Sequence, residues 1–273
     1  MQLAGKVAFI SGGGGGIGAG MAEAFVEKGM SVVLADVDFE YARQAAAQFG
    51  DKALPLALDV TRLDSWALAR DAAVARFGPI DVLCNNAGVS TARLPLDEFP
   101  PDEFARVVAI NVTGVHNGVV AFAGEMRARG AGHIVNTSSL NGLIPFGTFG
   151  AYSASKFAVL GLSDALRQEL APHGVGVSTL FPGLTRSRMS LDPDVGADTG
   201  KIDRAALEAN MMEPVWLGRA VARAVEENRP YIITHPEYKP QLEARFREIL
   251  DAFGEPAQPG YRTGGSATMV RED

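Results

Sequence analysis

The chain has 273 residues, of which 47% are hydrophobic and 21% are charged, a composition typical of globular proteins. Its formal net charge of −7 argues against nucleic acid or an anionic membrane as the main partner. The length allows one large core, and one domain is favoured because α/β folds often reach this size. The single cysteine, Cys84, excludes an intrachain disulfide, and its apolar surroundings predict a buried core residue.

Short β-branched apolar runs alternate with longer helical segments along the chain. The runs that predict strands are 7–10, 31–35, 53–58, 80–84, 133–137, 175–181 and 231–234. Helical segments between consecutive strands predict a parallel sheet with helices on both faces. Because such crossovers are right-handed, we expect an α/β fold, a single-domain, doubly wound, Rossmann-type sheet of about seven strands.

Three stretches interrupt this alternation. Residues 141–150 combine apolar side chains with glycine and proline and predict a loop. Residues 184–213 predict an irregular helical insertion, and residues 254–273 predict a flexible C-terminal tail. The expected organisation is one domain over 1–253, which includes the insertion, followed by the tail.

The ends of the chain and its apolar runs bear on location. The first six residues lack the features of a signal peptide, and no apolar run approaches about 18 residues. We therefore expect a cytoplasmic protein without a membrane-spanning helix. The four histidines are scattered, so no metal site is expected.

Five glycines follow the first strand and precede a predicted helix. Glycine at this place lets the backbone turn tightly and approach a pyrophosphate, whose charge is met by the amide groups that open the helix. A flexible glycine-rich linker is the alternative, and the position between strand and helix disfavours it. The segment from Ser11 to Gly18 therefore predicts a dinucleotide site.

The second predicted strand ends at Asp36. A carboxylate at this point can accept hydrogen bonds from the hydroxyls of an adenosine ribose and would repel a 2′-phosphate. No arginine or lysine lies within the glycine loop or directly after Asp36 to neutralise such a phosphate. The sequence therefore predicts NAD rather than NADP as the cofactor. A strand-ending turn residue is the alternative for Asp36.

Tyr152 and Lys156 lie four residues apart in a predicted helix, and so on one face of it. A free tyrosine has a pKa near ~10, too high for an efficient base at neutral pH. A neighbouring ammonium favours the phenolate, so we expect Lys156 to lower the pKa of Tyr152. The pair predicts a general acid/base, although a chance Tyr-xxx-Lys is common enough that its order after the glycine loop and Asp36 matters.

These motifs together resemble the short-chain dehydrogenase/reductase family over roughly residues 5–235. The segment Ser11-Gly12-xxx-Gly16-Ile17-Gly18 is similar to its glycine motif, with Ser11 in place of the commoner threonine. Asp59-Val60 resembles its adenine-contacting pair, and Asn85-Asn86-Ala87-Gly88 its sheet-stabilising motif. The cofactor-binding residues that the resemblance implies are Ser11, Gly12, Gly16, Ile17, Gly18, Asp36, Asp59, Val60, Asn86, Ala87, Gly88, Tyr152, Lys156, Pro182, Gly183, Thr185 and Ser187.

The resemblance also implies catalytic roles for Asn111, Ser139, Tyr152 and Lys156. Ser139 would stabilise charge on the substrate oxygen, with Ser138 as the competing assignment. Asn111 would connect Lys156 to solvent through a water, and a satisfied core asparagine is its alternative. Lys156 would also hold the nicotinamide ribose.

After the sixth strand, the segment from Pro182 to Ser187 resembles the family's nicotinamide-side motif. Thr185 stands where valine is usual, and its backbone would meet the carboxamide. Ser187 stands where threonine is usual and keeps a hydroxyl. The departures from the family pattern leave the side-chain contact at Ser187 open.

The resemblance implies an NAD(H)-dependent oxidoreductase that interconverts a secondary alcohol and a ketone, in a homo-oligomer, a tetramer or dimer. The apolar side chains expected on the substrate walls are Leu143, Ile144, Phe146, Phe149, Met189, Met211 and Met212. They favour an apolar or aromatic substrate, and the C-terminal part is weakly similar to bacterial dehydrogenases of benzylic alcohols in aryl ethers. Alternative interpretations are a catalytically silent NAD-binding module, an epimerase or dehydratase, and an enoyl reductase.

Overall fold

In the computed structural model, which describes residues 1–191 and 208–254, seven parallel strands form one sheet in the order 3-2-1-4-5-6-7. The strands are β1 (Val7–Ser11), β2 (Ser31–Asp36), β3 (Ala53–Ala57), β4 (Val82–Asn85), β5 (Gly132–Thr137), β6 (Val175–Phe181) and β7 (Tyr231–Ile233). The predicted fold class and all seven predicted strands are confirmed. The strand order reverses between β1 and β4, which opens a crevice at the carboxyl ends of the strands.

Helices cover both faces of this sheet. They are α1 (Gly16–Glu27), α2 (Phe39–Ala47), α3 (Leu63–Phe77), α4 (Pro101–Val108), α5 (Gly114–Arg129), α6 (Gly150–Leu170), α7 (Arg188–Leu191) and α8 (Pro214–Glu227). One apolar core lies between the sheet and α1 and α8, with Phe25 and Val221 fully buried. The second core lies on the opposite face, where Phe9, Trp66 and Phe122 pack their rings together. Cys84 is fully buried in β4, as predicted, and burial raises the pKa of its thiol.

The α1–α8 contact depends on glycine. A Cβ atom at Gly20 would collide with the backbone of Pro214, and one at Gly218 would collide with the backbone of Gly20. The two helices therefore approach with backbone against backbone. This contact fixes α1, and with it the glycine loop that precedes the helix.

Helices α4 and α5 are joined without a break by a π-helical turn at Ala109–Thr113. The whole stretch Pro101–Arg129 is long and apolar enough, by length and composition, to cross a membrane, and no other described helix is. Phe122 and Met126 of this stretch are buried in the core beneath the sheet. Such burial is typical of a core helix in an α/β protein.

The contacts within the chain define two compact units, residues 1–236 and 237–273. The first holds the sheet and all the helices named above. The second contains helix α9 (Lys239–Asp251), in which no residue is buried. Of the predicted insertion over 184–213, residues 192–207 lie outside the described residues. Residues 255–273 of the predicted tail also lie outside them.

Candidate active site

The glycine loop connects β1 to α1 at the crevice. Gly12 and Gly16 have positive φ angles of 63° and 52°, conformations that favour glycine. A Cβ atom at Gly18 would collide with the carbonyl oxygen of Gly12, so the loop and the first turn of α1 need glycine to approach so closely. No acidic side chain and no side-chain cap occupies the start of α1. Its amide groups and the positive end of its dipole can therefore receive an anion.

Ser11 and Asn86 connect the ends of β1 and β4. The Ser11 hydroxyl accepts hydrogen bonds from the amides of Asn86 (3.0 Å) and Ala87 (3.2 Å) and donates to the carbonyl of Cys84 (3.4 Å). The side-chain Nδ2 of Asn86 donates to the carbonyls of Ser11 (3.1 Å) and Gly12 (3.2 Å). These side chains thus shape the crevice floor with bonds inside the protein.

Asp36 ends β2 beside the glycine loop. One carboxylate oxygen accepts the amide of Gly14 at 3.1 Å, and the other accepts the amide of Asp38 at 3.1 Å. Each oxygen keeps further acceptor capacity, since an ionised carboxylate has about four lone-pair sites. Asp36 is partly exposed. It can therefore still receive the hydroxyls of a ribose, as the sequence predicts.

Asp59 and Val60 follow β3 at the same edge. The Asp59 carboxylate accepts the amide (2.9 Å) and hydroxyl (2.7 Å) of Thr61. The Val60 carbonyl accepts the Trp66 indole and the Asn117 amide, each at 3.0 Å. These bonds fix the turn after β3 at the carboxyl edge of the sheet.

Ser139, Tyr152 and Lys156 meet at the carboxyl end of β5. Lys156 is buried, and its Nζ donates to the carbonyl of Thr137 at 3.0 Å. The same Nζ lies 5.6 Å from the centre of the Tyr152 ring. The Ser139 hydroxyl faces the Tyr152 phenol and acts to lower its pKa. The spacing of four residues on α6 therefore places both side chains at one site, as expected.

The two neighbouring serines have different partners. The Ser138 hydroxyl is buried and donates to the carbonyl of Lys156 at 2.7 Å, which attaches β5 to α6. Ser139 accepts the amide of Asn141 at 3.2 Å and faces Tyr152. The geometry therefore favours Ser139 over Ser138 as the group that meets a substrate oxygen.

Asn111 lies in the π-helical turn and is fully buried. Its Oδ1 accepts the amide of Val89 at 2.8 Å, and its Nδ2 donates to the carbonyl of Val89 (2.9 Å) and to Ser155 (3.0 Å). A Cβ atom at Gly88 would lie 3.2 Å from Asn111 Oδ1 and 3.3 Å from Lys156 Nζ. Asn111 and Lys156 thus border the same glycine, and π-helical turns are frequent at functional sites.

Burial dominates the ionisation of the Tyr152–Lys156 pair. It raises the pKa of Tyr152, and the Ser139 hydroxyl opposes this rise. It lowers the pKa of Lys156 to about 8. In the protein alone the pKa of Tyr152 is therefore raised by burial, and the lowering by Lys156 remains a prediction. The ammonium donates to the Thr137 carbonyl rather than to the phenol, so desolvation outweighs its attraction for a phenolate.

The segment after β6 lies against the glycine loop. A Cβ atom at Gly16 would lie 2.7 Å from Cβ of Ser187, which places the predicted nicotinamide-side segment at the start of α1. The Pro182 carbonyl accepts the amide of Leu140 at 3.0 Å, so this segment also contacts the loop after β5. Thr185 is buried, and its hydroxyl donates to the carbonyl of Gly183 at 3.2 Å.

Sequence reasoning missed His235. Its Nδ1 accepts the amide of Gly183 at 3.0 Å, so the ring supports the Pro-Gly turn from a strand end more than 50 residues away. The available signal was a histidine directly after a predicted strand, but neither its burial nor its partner could be read from the sequence.

The sequence did not indicate that Tyr41 and Arg188 lie together beside the glycine loop. The Tyr41 ring lies on the glycine loop, and the Arg188 guanidinium stacks on that ring at 3.7 Å. Both residues, with Gly16, Ser187 and Pro214, line a cavity of about 770 Å³. No local pattern links two residues 147 positions apart.

The predicted substrate walls differ in exposure. Leu143 and Met211 are buried, whereas Phe146 is 45% exposed. Ile144, Phe149, Met189 and Met212 are partly exposed. The loop after β4 forms a further wall, because its Arg93 stacks on Phe149 at 4.7 Å. The sequence did not indicate this contact. Leu143 and Met211 therefore belong to the packing behind the walls, and the others can face a substrate.

A family model for the short chain dehydrogenases matches residues 6–194. The chain belongs to the short-chain dehydrogenase family. C alpha-dehydrogenase of Sphingobium sp. (strain NBRC 103272 / SYK-6) is 34% identical over 262 residues, which cover 90% of this chain and 86% of that protein. A 3-alpha-(or 20-beta)-hydroxysteroid dehydrogenase of Mycobacterium tuberculosis (strain ATCC 25618 / H37Rv) is 39% identical over 189 residues, which cover 69% of this chain and 72% of that protein.

A solved structure supports the same relationship. The short chain dehydrogenase/reductase from Burkholderia phymatum in complex with NAD has a TM-score of 0.82 and 31% identity, covering 94% of this chain and 99% of that one. The chain is thus an oxidoreductase of a family that binds nicotinamide cofactors. The resemblance stated from the motifs alone is confirmed.

Proposed function

We propose that this short-chain dehydrogenase interconverts a secondary alcohol and a ketone, with NAD(H) as cofactor and Tyr152 as general acid/base. The observation that carries the proposal is the convergence of Ser139, Tyr152 and Lys156 at the carboxyl end of β5. Asn111 borders the same site through Gly88. A tyrosine that can move a proton, beside a crevice able to receive a dinucleotide, provides both parts of a hydride-transfer reaction.

The residues of the crevice fit a dinucleotide. Gly12 and Gly16 allow the backbone to approach a pyrophosphate, and the uncapped start of α1 would bind its charge. Asp36 would accept the hydroxyls of the adenosine ribose, and its charge disfavours a 2′-phosphate, so we propose NAD rather than NADP. Asp59, Val60 and the Asn86–Gly88 segment would border the adenosine. The bound cofactor supplies the hydride acceptor, the nicotinamide C4.

The protein's own residues then handle the proton. In alcohol oxidation, the Tyr152 phenolate takes the hydroxyl proton while Ser139 holds the substrate oxygen by a hydrogen bond. Lys156 would hold the nicotinamide ribose, and its charge would favour the phenolate once the cofactor and substrate exclude water. Asn111 would connect Lys156 to solvent through a water. Pro182, Gly183, Thr185 and Ser187 would border the nicotinamide.

The substrate we propose is an apolar or aromatic secondary alcohol. Ile144, Phe146 and Phe149 offer exposed or partly exposed apolar surface in the segment before α6, and the Phe149 and Tyr152 ring centres are 6.1 Å apart. The similarity to C alpha-dehydrogenase over 90% of the chain supports a benzylic alcohol as the first compound to test. We further propose a cytoplasmic homo-oligomer, in keeping with the family resemblance.

The experiment is NADH formation from NAD, with NADP in parallel, across aliphatic, alicyclic, steroidal and benzylic secondary alcohols. We expect turnover with NAD, a loss of about 10⁴-fold in kcat for Tyr152→Phe, and unchanged NADH binding in that variant, because only the proton donor is removed. Tyr231→Phe is the matched control, since its phenol bonds Asp164 away from the site. It should retain full activity.

Two outcomes would count against the proposal. Tight NADH binding without turnover on any alcohol would favour a catalytically silent NAD-binding module. Equal activity of Tyr152→Phe and the native protein would remove Tyr152 from the mechanism.

A further inference from the structure

Tyr41 fills the space beside the two central glycines of the loop. A Cβ atom at Gly14 would collide with the Tyr41 ring, and one at Gly15 would collide with the Tyr41 hydroxyl. The ring therefore lies directly on the backbone at these positions. Tyr41 is held in place because its own amide donates to the Asp38 carboxylate at 3.1 Å, which caps α2.

The Asp36 carboxylate borders the same space. The Cβ position of Gly14 that Tyr41 blocks is 3.0 Å from Asp36 Oδ2, and the Gly14 amide donates to that oxygen at 3.1 Å. The carboxylate that would bind the ribose and the aromatic ring thus flank one small volume. A phosphate on that ribose would need room at this place as well as a favourable charge.

A cation lies close by, and its charge is already engaged. The Arg188 guanidinium stacks on the Tyr41 ring at 3.7 Å and pairs with Asp38 at 3.4 Å. The Arg188 side chain is 69% exposed, and ion pairs at such exposure contribute little to stability. The guanidinium could therefore be redirected at small cost to a phosphate, with which it forms strong paired hydrogen bonds.

We infer that Tyr41 is a specificity-determining residue that excludes a 2′-phosphorylated cofactor by filling the space beside Asp36, with Arg188 as a cation that would bind the phosphate if Tyr41 were small. The inference rests on the proposed NAD(H) function and deepens it. Charge exclusion by Asp36 and steric exclusion by Tyr41 act together, so removing either one alone admits little NADPH.

The test measures NADH and NADPH dissociation constants by cofactor fluorescence at one fixed, low ionic strength. Asp36→Asn alone should tighten NADPH binding by less than about tenfold, because the ring still blocks the phosphate. In the Asp36→Asn background, Tyr41→Phe, Tyr41→Leu and Tyr41→Ala should tighten it progressively as the side chain shrinks. Tyr41→Phe should change little and Tyr41→Ala should add about tenfold or more.

Arg188 provides the second arm. Adding Arg188→Gln to Asp36→Asn/Tyr41→Ala should remove the gain in NADPH affinity, by about tenfold. Arg43→Gln in the same background is the matched control, because Arg43 is an exposed arginine on α2 that pairs with Glu40. It should leave NADPH affinity within about twofold.

The outcomes separate this inference from the function on which it rests. If the native protein binds neither NADH nor NADPH, the proposed function fails. If NADH binds but Tyr41→Ala and Tyr41→Phe give the same NADPH affinity, the steric role of Tyr41 is refuted. Equal effects of Arg188→Gln and Arg43→Gln would refute the role of Arg188.

Discussion

At the scale of single residues, burial sets the ionisation of the two titratable groups at the site, Tyr152 and Lys156. Burial raises the pKa of Tyr152, which favours its neutral phenol. Burial lowers the pKa of Lys156 to about 8, which favours its neutral amine. Without cofactor, burial therefore favours the neutral phenol of Tyr152 over its phenolate. In the proposed mechanism, a bound cofactor and substrate would supply the change in environment that makes Tyr152 a base.

The lowered pKa of Lys156 has a consequence for stability. Between pH 8 and 10.5 the unfolded chain binds more protons at this lysine than the native protein, so native stability rises with pH over that range. In Lys156→Met this contribution is absent. We expect the unfolding free energy of the unsubstituted protein, relative to that of Lys156→Met, to increase by roughly 3 kcal/mol from pH 8 to 10.5 in urea unfolding. A constant difference across this range would contradict the assigned pKa.

The two serines after β5 should separate in their effects. Ser139→Ala removes the hydroxyl that faces Tyr152, and we expect kcat to fall about 10²- to 10³-fold with unchanged stability. Ser138→Ala removes the bond to the Lys156 carbonyl, and we expect a loss of about 1 kcal/mol in unfolding free energy. Steady-state kinetics and urea unfolding measure both. A larger kcat loss for Ser138→Ala would reverse the assignment.

At the scale of elements, close helix packing positions the cofactor end of the site. The α1–α8 contact brings backbone against backbone at Gly20 and Gly218. The helix after the glycine loop is thereby fixed from its outer side. The π-helical turn positions Asn111. From this turn its side chain forms hydrogen bonds with both Val89 and Ser155.

Substitutions at two helical glycines test this packing. Gly20→Ala would force α8 away from α1, and we expect a loss of about 1–3 kcal/mol in unfolding free energy. Gly161→Ala is the matched control, because that α6 glycine is exposed and has nothing within 4 Å of an added Cβ. It should stabilise by up to about 1 kcal/mol through helix propensity. Equal effects at both positions would show that the contact is looser than described.

The elements themselves were largely predictable from the sequence. β-branched runs such as Val175–Phe181 indicated strands, and the glycine loop was recognisable from its place between a strand and a helix. The π-helical turn was not predictable, since hydrophobic spacing does not distinguish it from α-helix over five residues. Its presence depends on packing around Asn111, which is a tertiary property.

At the scale of the whole molecule, the sheet order decides what the sequence could reveal about the site. Residues that follow strand ends, such as Asp36 and Ser139, were predictable because parallel strands end at one edge. Contacts between distant segments were not, as with Arg188 and Asp38, which are 150 positions apart. The same holds for the bond between Gly183 and His235. The motifs therefore indicated the family, while the contacts between distant segments required the fold.

The most direct test of the central claim is the transfer of deuterium from the carbinol carbon of a labelled secondary alcohol. With NAD and a benzylic alcohol deuterated at that carbon, we expect singly deuterated NADH and an equal amount of ketone by mass spectrometry. Tyr152→Phe should form neither product. NADH that lacks the deuterium, or ketone formed without reduced cofactor, would contradict hydride transfer as the reaction of this protein.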